Sequence, residues 1–149
     1  MRLWWPEPLA GDIVWCHFPH LPALDPDPKP RPALVLEVRE VSADRFRVLV
    51  AYGTSKKITT LRAGEFTIGA ADGQSFKLAG LQADTKFCLQ DAVELDFDST
   101  WFKPPPHAPF GENPKMGVLH ATLMRRAGAA WKAVGLTARG RISVRCQVD

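Results

Sequence analysis

Two apolar runs separated by a short polar segment constrain the fold of this chain most strongly. The first run, residues 33–38, is apolar except for Glu37, and the second, residues 46–52, is largely apolar. Between them, Ser42-Ala43-Asp44-Arg45 is polar and suits a turn. The simplest interpretation is a pair of buried antiparallel strands joined by a hairpin.

Several shorter segments predict further strands. Gly11-Asp12 leads as a turn into residues 13–18, which are rich in β-branched and aromatic side chains. Residues 65–68 alternate, and residues 85–95 carry regularly spaced apolar side chains. Short strands at frequent turns are typical of a β-barrel or a β-sandwich.

The hydrophobic period changes late in the chain. From Leu119 to Val134 the apolar residues fall at helical spacing, and Gly135 follows them. This pattern predicts an amphipathic helix of about three to four turns that ends at the glycine. Residues 141–148 then alternate between polar and apolar side chains, which predicts a terminal strand with one wet face.

The length of the chain limits its domain organisation. With 149 residues, 46% of them apolar, it can bury one core and has little room for a second domain. We therefore expect a single mainly β domain over residues 1–149. Within it we expect a barrel core at 9–98, a Pro-rich connector at 99–118, and the helix and strand at 119–149.

Composition argues against several classes of protein. The apolar stretches are far shorter than the roughly 18 residues of a membrane span, and the N-terminus lacks a signal-peptide pattern. Three scattered cysteines without a Cys-x-x-Cys pair indicate neither a disulfide framework nor a zinc knuckle. We expect a cytoplasmic protein without membrane contact, metal or cofactor. The formal net charge of +3 is too small to identify a partner.

Four segments together resemble the PemK/MazF family of growth-inhibitor toxins. They are Gly-Asp-Ile-Val-Trp at 11–15, Lys-Pro-Arg-Pro-Ala-Leu-Val-Leu at 29–36, Val-Leu-Val-Ala-Tyr-Gly-Thr-Ser at 48–55, and Ala79-Gly80-Leu81 through Asp84. Their order and spacing match as well. The resemblance implies an SH3-like barrel of the PemK/MazF/CcdB type. It also implies a usually dimeric, metal-independent endoribonuclease of a type II toxin-antitoxin system, with single-stranded RNA and a cognate antitoxin as partners.

The resemblance places the catalytic residues at Arg31 and Thr54. An arginine can offer two donors to phosphate oxygens, and the alternating prolines around Arg31 restrict its backbone. The hydroxyl of Thr54 can hydrogen-bond the phosphate or the 2′-oxygen. We expect attack by the 2′-hydroxyl, a phosphorane that Arg31 stabilises, and release of the 5′-oxygen.

The general base has two secondary candidates, Asp84 and His20. Asp84 occupies a position where family members often have an acidic residue, although Gln82 stands where an arginine is common. His20 lies in the Pro-rich loop where some relatives have a histidine. The residues expected to bind RNA phosphates are Ser55, Lys56, Lys57 and Lys86.

Five large aromatic residues are candidates for surface roles. For stacking of splayed RNA bases the candidates are Phe18, Trp15 and Trp101. The pair Trp4-Trp5 is expected to pack on the barrel or on a second subunit.

Two other interpretations stay open at the level of sequence. SH3-like barrels also bind nucleic acids or peptides without catalysis, in which case Arg125 and Arg126 on the predicted helix would dominate binding. Alternatively the chain is an inactive toxin relative, a possibility that the departure at Gln82 raises.

Overall fold

The protein folds around one strongly curled, mainly antiparallel β-sheet. The computed structural model describes residues 5–20, 25–26, 29–135 and 142–143 of the chain. Within these ranges the strands are β1 Asp12–Cys16, β2 Pro19–His20, β3 Asp25–Pro26, β4 Arg31–Ser42, β5 Arg45–Thr54, β6 Glu65–Ile68, β7 Thr85–Cys88, β8 Val93–Asp96, β9 Lys115–Val118 and β10 Ile142–Ser143.

Two α-helices and three 3-10 turns complete the described elements. The α-helices are α1 Gln74–Ala79 and α2 Met124–Val134, and the 3-10 turns are Ala70–Asp72, Leu89–Asp91 and Ala121–Leu123. In the described part of the chain, none of the helices has the length and apolarity to span a bilayer. The strands and helices given above confirm the mainly β class and the C-terminal helix.

The predicted hairpin is the centre of the sheet. Strands β4 and β5 pair antiparallel from Ala33 opposite Tyr52 to Ser42 opposite Arg45, and Asp44 has φ 64° in the turn. The sheet continues from this hairpin in the order β10-β8-β5-β4-β1-β9, and β7 pairs with both β5 and β6. The short strands β2 and β3 pair separately.

Residues 33–35 and 48–51 of the hairpin are buried on both faces, which explains why these parts of the strands are continuously apolar rather than alternating. One face joins a core that includes Leu34, Leu49 and Ala51 and is covered by Leu123 of the last 3-10 turn and by Ala127 of α2. The other face belongs to a second cluster, whose buried members are Val14, Cys16, Phe18, Ala33, Val35, Val48, Val50, Val93, Leu95, Trp101 and Phe102.

The C-terminal helix is shorter at its start than predicted. The first turn of the predicted range is the 3-10 turn Ala121–Leu123, which His120 caps by accepting a hydrogen bond from the Thr122 amide. Helix α2 then runs from Met124 to Val134, and Gly135 ends it in a left-handed conformation with φ 60°. The glycine closure is thus as predicted.

Several short elements were not predicted, among them α1 and β9. Helix α1 has only six residues, so it contains too little helical period to be recognised in the sequence. Strand β9 lies within residues 99–118, expected to be only a Pro-rich connector, yet it pairs antiparallel with β1. This connector therefore returns to the sheet as its edge strand.

Of the predicted terminal strand at 141–148, the described part is β10. It pairs parallel to β8, with Ile142 opposite Val93 and Ser143 opposite Glu94. The other residues of that prediction lie outside the described residues.

Candidate functional site

The two predicted catalytic residues lie at the same end of the central hairpin. Arg31 is the first residue of β4 and Thr54 is the last residue of β5. The pairing of β4 with β5 begins at Ala33 opposite Tyr52, and Arg31 and Thr54 each lie two residues beyond this pair. Because side chains alternate along a strand, all four residues lie on one face of the sheet.

The guanidinium of Arg31 lies over the ring of Tyr52 on this face. Its guanidinium carbon lies 5.7 Å from the centroid of the Tyr52 ring. The Phe18 ring, tilted by 54°, has its centroid 5.1 Å from that of Tyr52. This cation–π contact holds a fixed positive charge at the strand end.

Tyr52 is connected to a buried acid through Cys88. Cys88 lies opposite Glu65 in the pairing of β6 with β7, and the pairing of Gly53 with Phe87 puts Tyr52 next to Cys88. Together with burial, interaction with Cys88 raises the pKa of Tyr52, and interaction with Glu65 raises the pKa of Cys88. Three side chains on three strands thus form one row of interacting polar groups.

Tyr52 and Cys88 both keep their protons at neutral pH. Burial, followed by the hydrogen bond to Cys88, raises the pKa of Tyr52 to about 12. Burial, assisted by the nearby Glu65 carboxylate, raises the pKa of Cys88 to about 11. Both groups are therefore neutral donors at neutral pH and are unsuited to accept a proton from a substrate.

Glu65 is the most heavily hydrogen-bonded carboxylate near this end of the sheet. Its fully buried side chain accepts from the Arg62 amide at 2.9 Å, the Arg62 Nε at 3.1 Å and the Gln90 amide nitrogen at 2.6 Å, and it pairs with Lys86 Nζ at 3.1 Å. Burial alone would raise the pKa of Glu65, but these hydrogen bonds lower it to about 2. The carboxylate is therefore a permanent structural charge.

Lys86 lies in β7 and is paired with Thr54, on the side of β5 that faces away from β4. Its backbone pairs with that of Thr54, and its side chain is only 10% exposed. The ammonium group contacts Glu65 and donates to the carbonyl of Thr60 at 3.1 Å. This geometry favours a structural role over the phosphate contact predicted for Lys86, since its charge is already neutralised.

The loop after Thr54 carries the other predicted phosphate ligands. The Thr54 Oγ1 accepts from the Lys56 amide at 3.1 Å, which leaves its own proton available for donation. Ser55, Lys56 and Lys57 are exposed. Lys57 has φ 54°, a left-handed conformation that turns the loop sharply, and its carbonyl accepts from the Thr60 amide.

The two candidate general bases differ in how far the structure describes them. Asp84 is exposed, and its Oδ1 accepts from the Ala70 amide at 2.8 Å, so one oxygen caps the neighbouring 3-10 turn. The backbone of His20 lies in β2, opposite Asp25, and its side chain is outside the described residues.

The aromatic candidates for base stacking are mostly core residues. Phe18 and Trp101 are each only 6% exposed and belong to the second core cluster, which corrects the expectation that a splayed base stacks on them. Trp15 is half-buried and packs against the other cluster. Trp5 packs edge-on against Phe97 with centroids 5.3 Å apart, as expected for packing on the barrel, while Trp4 lies outside the described residues.

The arginines of α2 are not equivalent. Arg126 forms two hydrogen bonds with Asp72, at 2.7 and 3.0 Å, and a third with the carbonyl of Thr67. Both arginines are exposed, but Arg126 also links the helix to the sheet. This weakens the alternative in which both arginines form a binding surface.

The residues that organise this end of the sheet were largely missed at the level of sequence. Tyr52 lies within the family-like segment at 48–55, which was a usable signal. Glu65 and Cys88 had none, because their contacts join segments that are far apart in the chain. No group of three or more metal-ligating side chains is placed to hold an ion within the described ranges.

Comparison with known proteins gives no identification. No protein-family model matches the chain, and no curated protein is significantly similar to it.

Proposed function

We propose that this protein is an endoribonuclease toxin of the PemK/MazF type, with an SH3-like barrel, that cuts single-stranded RNA without a metal. The observation that carries the proposal is the position of Arg31 and Thr54, which share one face at the same end of neighbouring strands. The four family-like segments, two of which contain these residues, are the basis of the family assignment. The proposal includes a homodimer and a cognate antitoxin in the cytoplasm, as the resemblance implies.

The chemistry needs three tasks at the scissile phosphate: removal of the 2′-hydroxyl proton, stabilisation of the phosphorane, and delivery of a proton to the departing 5′-oxygen. The 2′-oxygen bonds to phosphorus and the bond from phosphorus to the 5′-oxygen breaks, which gives a 2′,3′-cyclic phosphate and a 5′-hydroxyl. The proton that the 2′-hydroxyl loses balances the one that the 5′-oxygen gains. Arg31 would donate hydrogen bonds to the non-bridging oxygens, whose negative charge grows in the phosphorane. Thr54 would donate a hydrogen bond to the same phosphate, and Lys56 and Lys57 would bind neighbouring phosphates.

The contacts of Arg31 suit this role. Its stacking on Tyr52 restricts the guanidinium before substrate binds, and a preorganised donor contributes more than a flexible one. Because Tyr52 and Cys88 keep their protons, they are positioning groups. Asp84 and His20 are the candidates for accepting the 2′-hydroxyl proton.

The test compares purified wild type, Arg31→Ala and Arg125→Ala on end-labelled single-stranded RNA in EDTA. Arg125 is the matched control, since it is an exposed arginine far along the chain on α2. Wild type and Arg125→Ala should release fragments with 2′,3′-cyclic phosphate ends. Arg31→Ala should cleave about 10²–10³-fold more slowly, which is typical for loss of one transition-state donor. Equal rates for Arg31→Ala and wild type would exclude the assignment.

A non-catalytic RNA-binding module is the second candidate. It is favoured by the commitment of Asp84 Oδ1 to the Ala70 amide, which reduces the capacity of this carboxylate to act as a base. The same experiment distinguishes the two candidates. Intact RNA with wild type, together with RNA binding that Arg125→Ala weakens more than Arg31→Ala, would support the binding module; intact RNA without that difference would support an inactive toxin relative.

A further inference from the structure

The buried carboxylate of Glu65 is joined to the loop that follows Thr54 at several points. Glu65 accepts from both the backbone amide and the guanidinium of Arg62, near the end of the loop. It also holds Lys86, whose ammonium group donates to the Thr60 carbonyl in the middle of the loop. The start of the loop is fixed by the hydrogen bond from the Lys56 amide to Thr54.

These contacts determine the shape of residues 55–64. The loop has no strand or α-helix of its own, and Ser55, Lys56 and Lys57 are exposed. A loop of ten residues without regular structure would ordinarily lose much of its order to conformational entropy. Here the buried Glu65 supplies fixed points at Thr60 and Arg62, so the segment from Lys57 to Thr60 has an anchor on either side.

We propose that Glu65 is a positioning residue, which holds the 55–64 loop so that Lys56 and Lys57 face the RNA backbone next to Thr54. This inference rests on the proposed function. Glu65 does not touch RNA in it and affects RNA binding only by holding the loop. Lys86 contacts both Glu65 and the Thr60 carbonyl, and we call Glu65 and Lys86 together the anchor of the loop. Lys56 and Lys57 supply the charges that meet phosphate.

The anchor has a matched counterpart at the other end of the hairpin. Glu94 is also buried, and it pairs with Arg39 at 3.0 Å and Arg47 at 3.2 Å, away from the 55–64 loop. Replacement of Glu94 by glutamine therefore perturbs a buried ion pair of similar kind without touching the loop. This makes Glu94→Gln the control for Glu65→Gln.

The first measurement is limited digestion of the folded proteins with trypsin, followed by mapping of the cleavage sites. Glu65→Gln should raise the rate of cleavage after Lys56 and Lys57 by about tenfold relative to wild type, because the loop opens locally. Glu94→Gln should leave the rate at these sites unchanged. If Glu65→Gln does not fold, Arg62→Ala replaces it, since the Arg62 side chain is 66% exposed and its loss removes two contacts to Glu65.

The second measurement is the salt dependence of binding to a short 2′-O-methyl RNA oligonucleotide, which cannot be cut through its 2′-oxygen. The log–log slope should become shallower by about one unit in Glu65→Gln and stay unchanged in Glu94→Gln, because up to two phosphate contacts are lost. A general loss of stability would not move this slope.

The outcomes separate this inference from the proposed function. Unchanged digestion at Lys56 and Lys57 together with an unchanged salt slope overturns the role of Glu65, even if wild type cuts RNA. Conversely, a shifted slope with no RNA cleavage by wild type supports the anchor and contradicts the nuclease.

Discussion

At the scale of single residues, Tyr52 shows how a neutral side chain can prepare a charged one. Its ring contacts the Arg31 guanidinium, and its hydroxyl interacts with Cys88, which lies opposite Glu65. The ring and the hydroxyl therefore have separable roles. If the ring is what orients Arg31, its removal should affect activity more than removal of the hydroxyl.

This gives a prediction with a built-in control. Tyr52→Leu should lower kcat/KM for RNA cleavage by about fivefold, since a cation–π contact contributes on the order of 1 kcal/mol. Tyr52→Phe keeps the ring and should stay close to wild type. Steady-state cleavage of a labelled RNA measures both variants. A larger loss in Tyr52→Phe than in Tyr52→Leu would assign the effect to the hydroxyl instead.

The sequence could indicate Arg31 and Thr54 but not their surroundings. Both residues fall in short family-like segments, so a local pattern could nominate them as candidates. The hydrogen bonds of Glu65 join β6 to β7 and to Gln90, across 21 to 25 residues of chain. Such contacts depend on tertiary packing, and for this reason Lys86 was predicted to bind phosphate although it is neutralised inside the protein.

At the scale of elements, prediction succeeded where burial leaves a strong pattern. The inner parts of β4 and β5, residues 33–35 and 48–51, are buried on both faces, so their apolar runs are unambiguous. Strand β9 has only four residues, and what makes it a strand is its pairing with β1 rather than its own composition. Gly117 in β9 also lets the strand approach α1 closely, because a side chain there would collide with Leu78 and Ala79.

Two glycine substitutions test this packing. A Cβ at Gly117 would collide with backbone atoms of Leu78 and Ala79, which cannot move without displacing α1. Gly117→Ala should therefore destabilise the protein by about 2–3 kcal/mol, as overpacking does. At Gly128 in α2 a Cβ meets nothing within 4 Å, so Gly128→Ala should stabilise by about 0.5–1 kcal/mol through helix propensity.

Urea unfolding of the two variants and wild type measures these differences. The opposite signs are the essential part of the prediction. A neutral Gly117→Ala would mean that β9 and α1 pack less closely than described. A destabilising Gly128→Ala would show that α2 does not keep an open, helical environment at that position.

At the scale of the whole molecule, three carboxylates tie different layers of the fold together. Glu65 joins the 55–64 loop to β7, Glu94 joins β8 to the hairpin, and Asp72 joins the 3-10 turn to α2 through Arg126. Burial alone would raise the pKa of Glu65 and Glu94, but their hydrogen bonds lower it in both. Hydrogen bonds from Arg126 and the Gly69 amide lower the pKa of Asp72.

These shifts predict how stability depends on pH. A carboxyl whose pKa is lower in the folded than in the unfolded state stabilises fully above the unfolded value, and this contribution is lost as the pH falls toward the folded value. For Glu65, with an ordinary value of 4.5 and a folded value of about 2, the contribution is about 3 kcal/mol. Glu94 and Asp72 act in the same direction. The free energy of unfolding should therefore stay level above about pH 5 and fall steeply between about pH 4.5 and pH 2.

Two variants should change the slope of this acid dependence in opposite directions. Glu65→Gln removes a titrating group with a lowered pKa, so its free energy of unfolding, measured in urea at each pH, should fall less steeply than that of wild type. Burial raises the pKa of Asp98, so this group takes up protons on folding and opposes the acid loss. Asp98→Asn should accordingly make the fall steeper. Parallel curves for Glu65→Gln and wild type would show that protonation of Glu65 is not coupled to folding. The anchor of the 55–64 loop would then have to depend on hydrogen-bond geometry and not on the charge of Glu65.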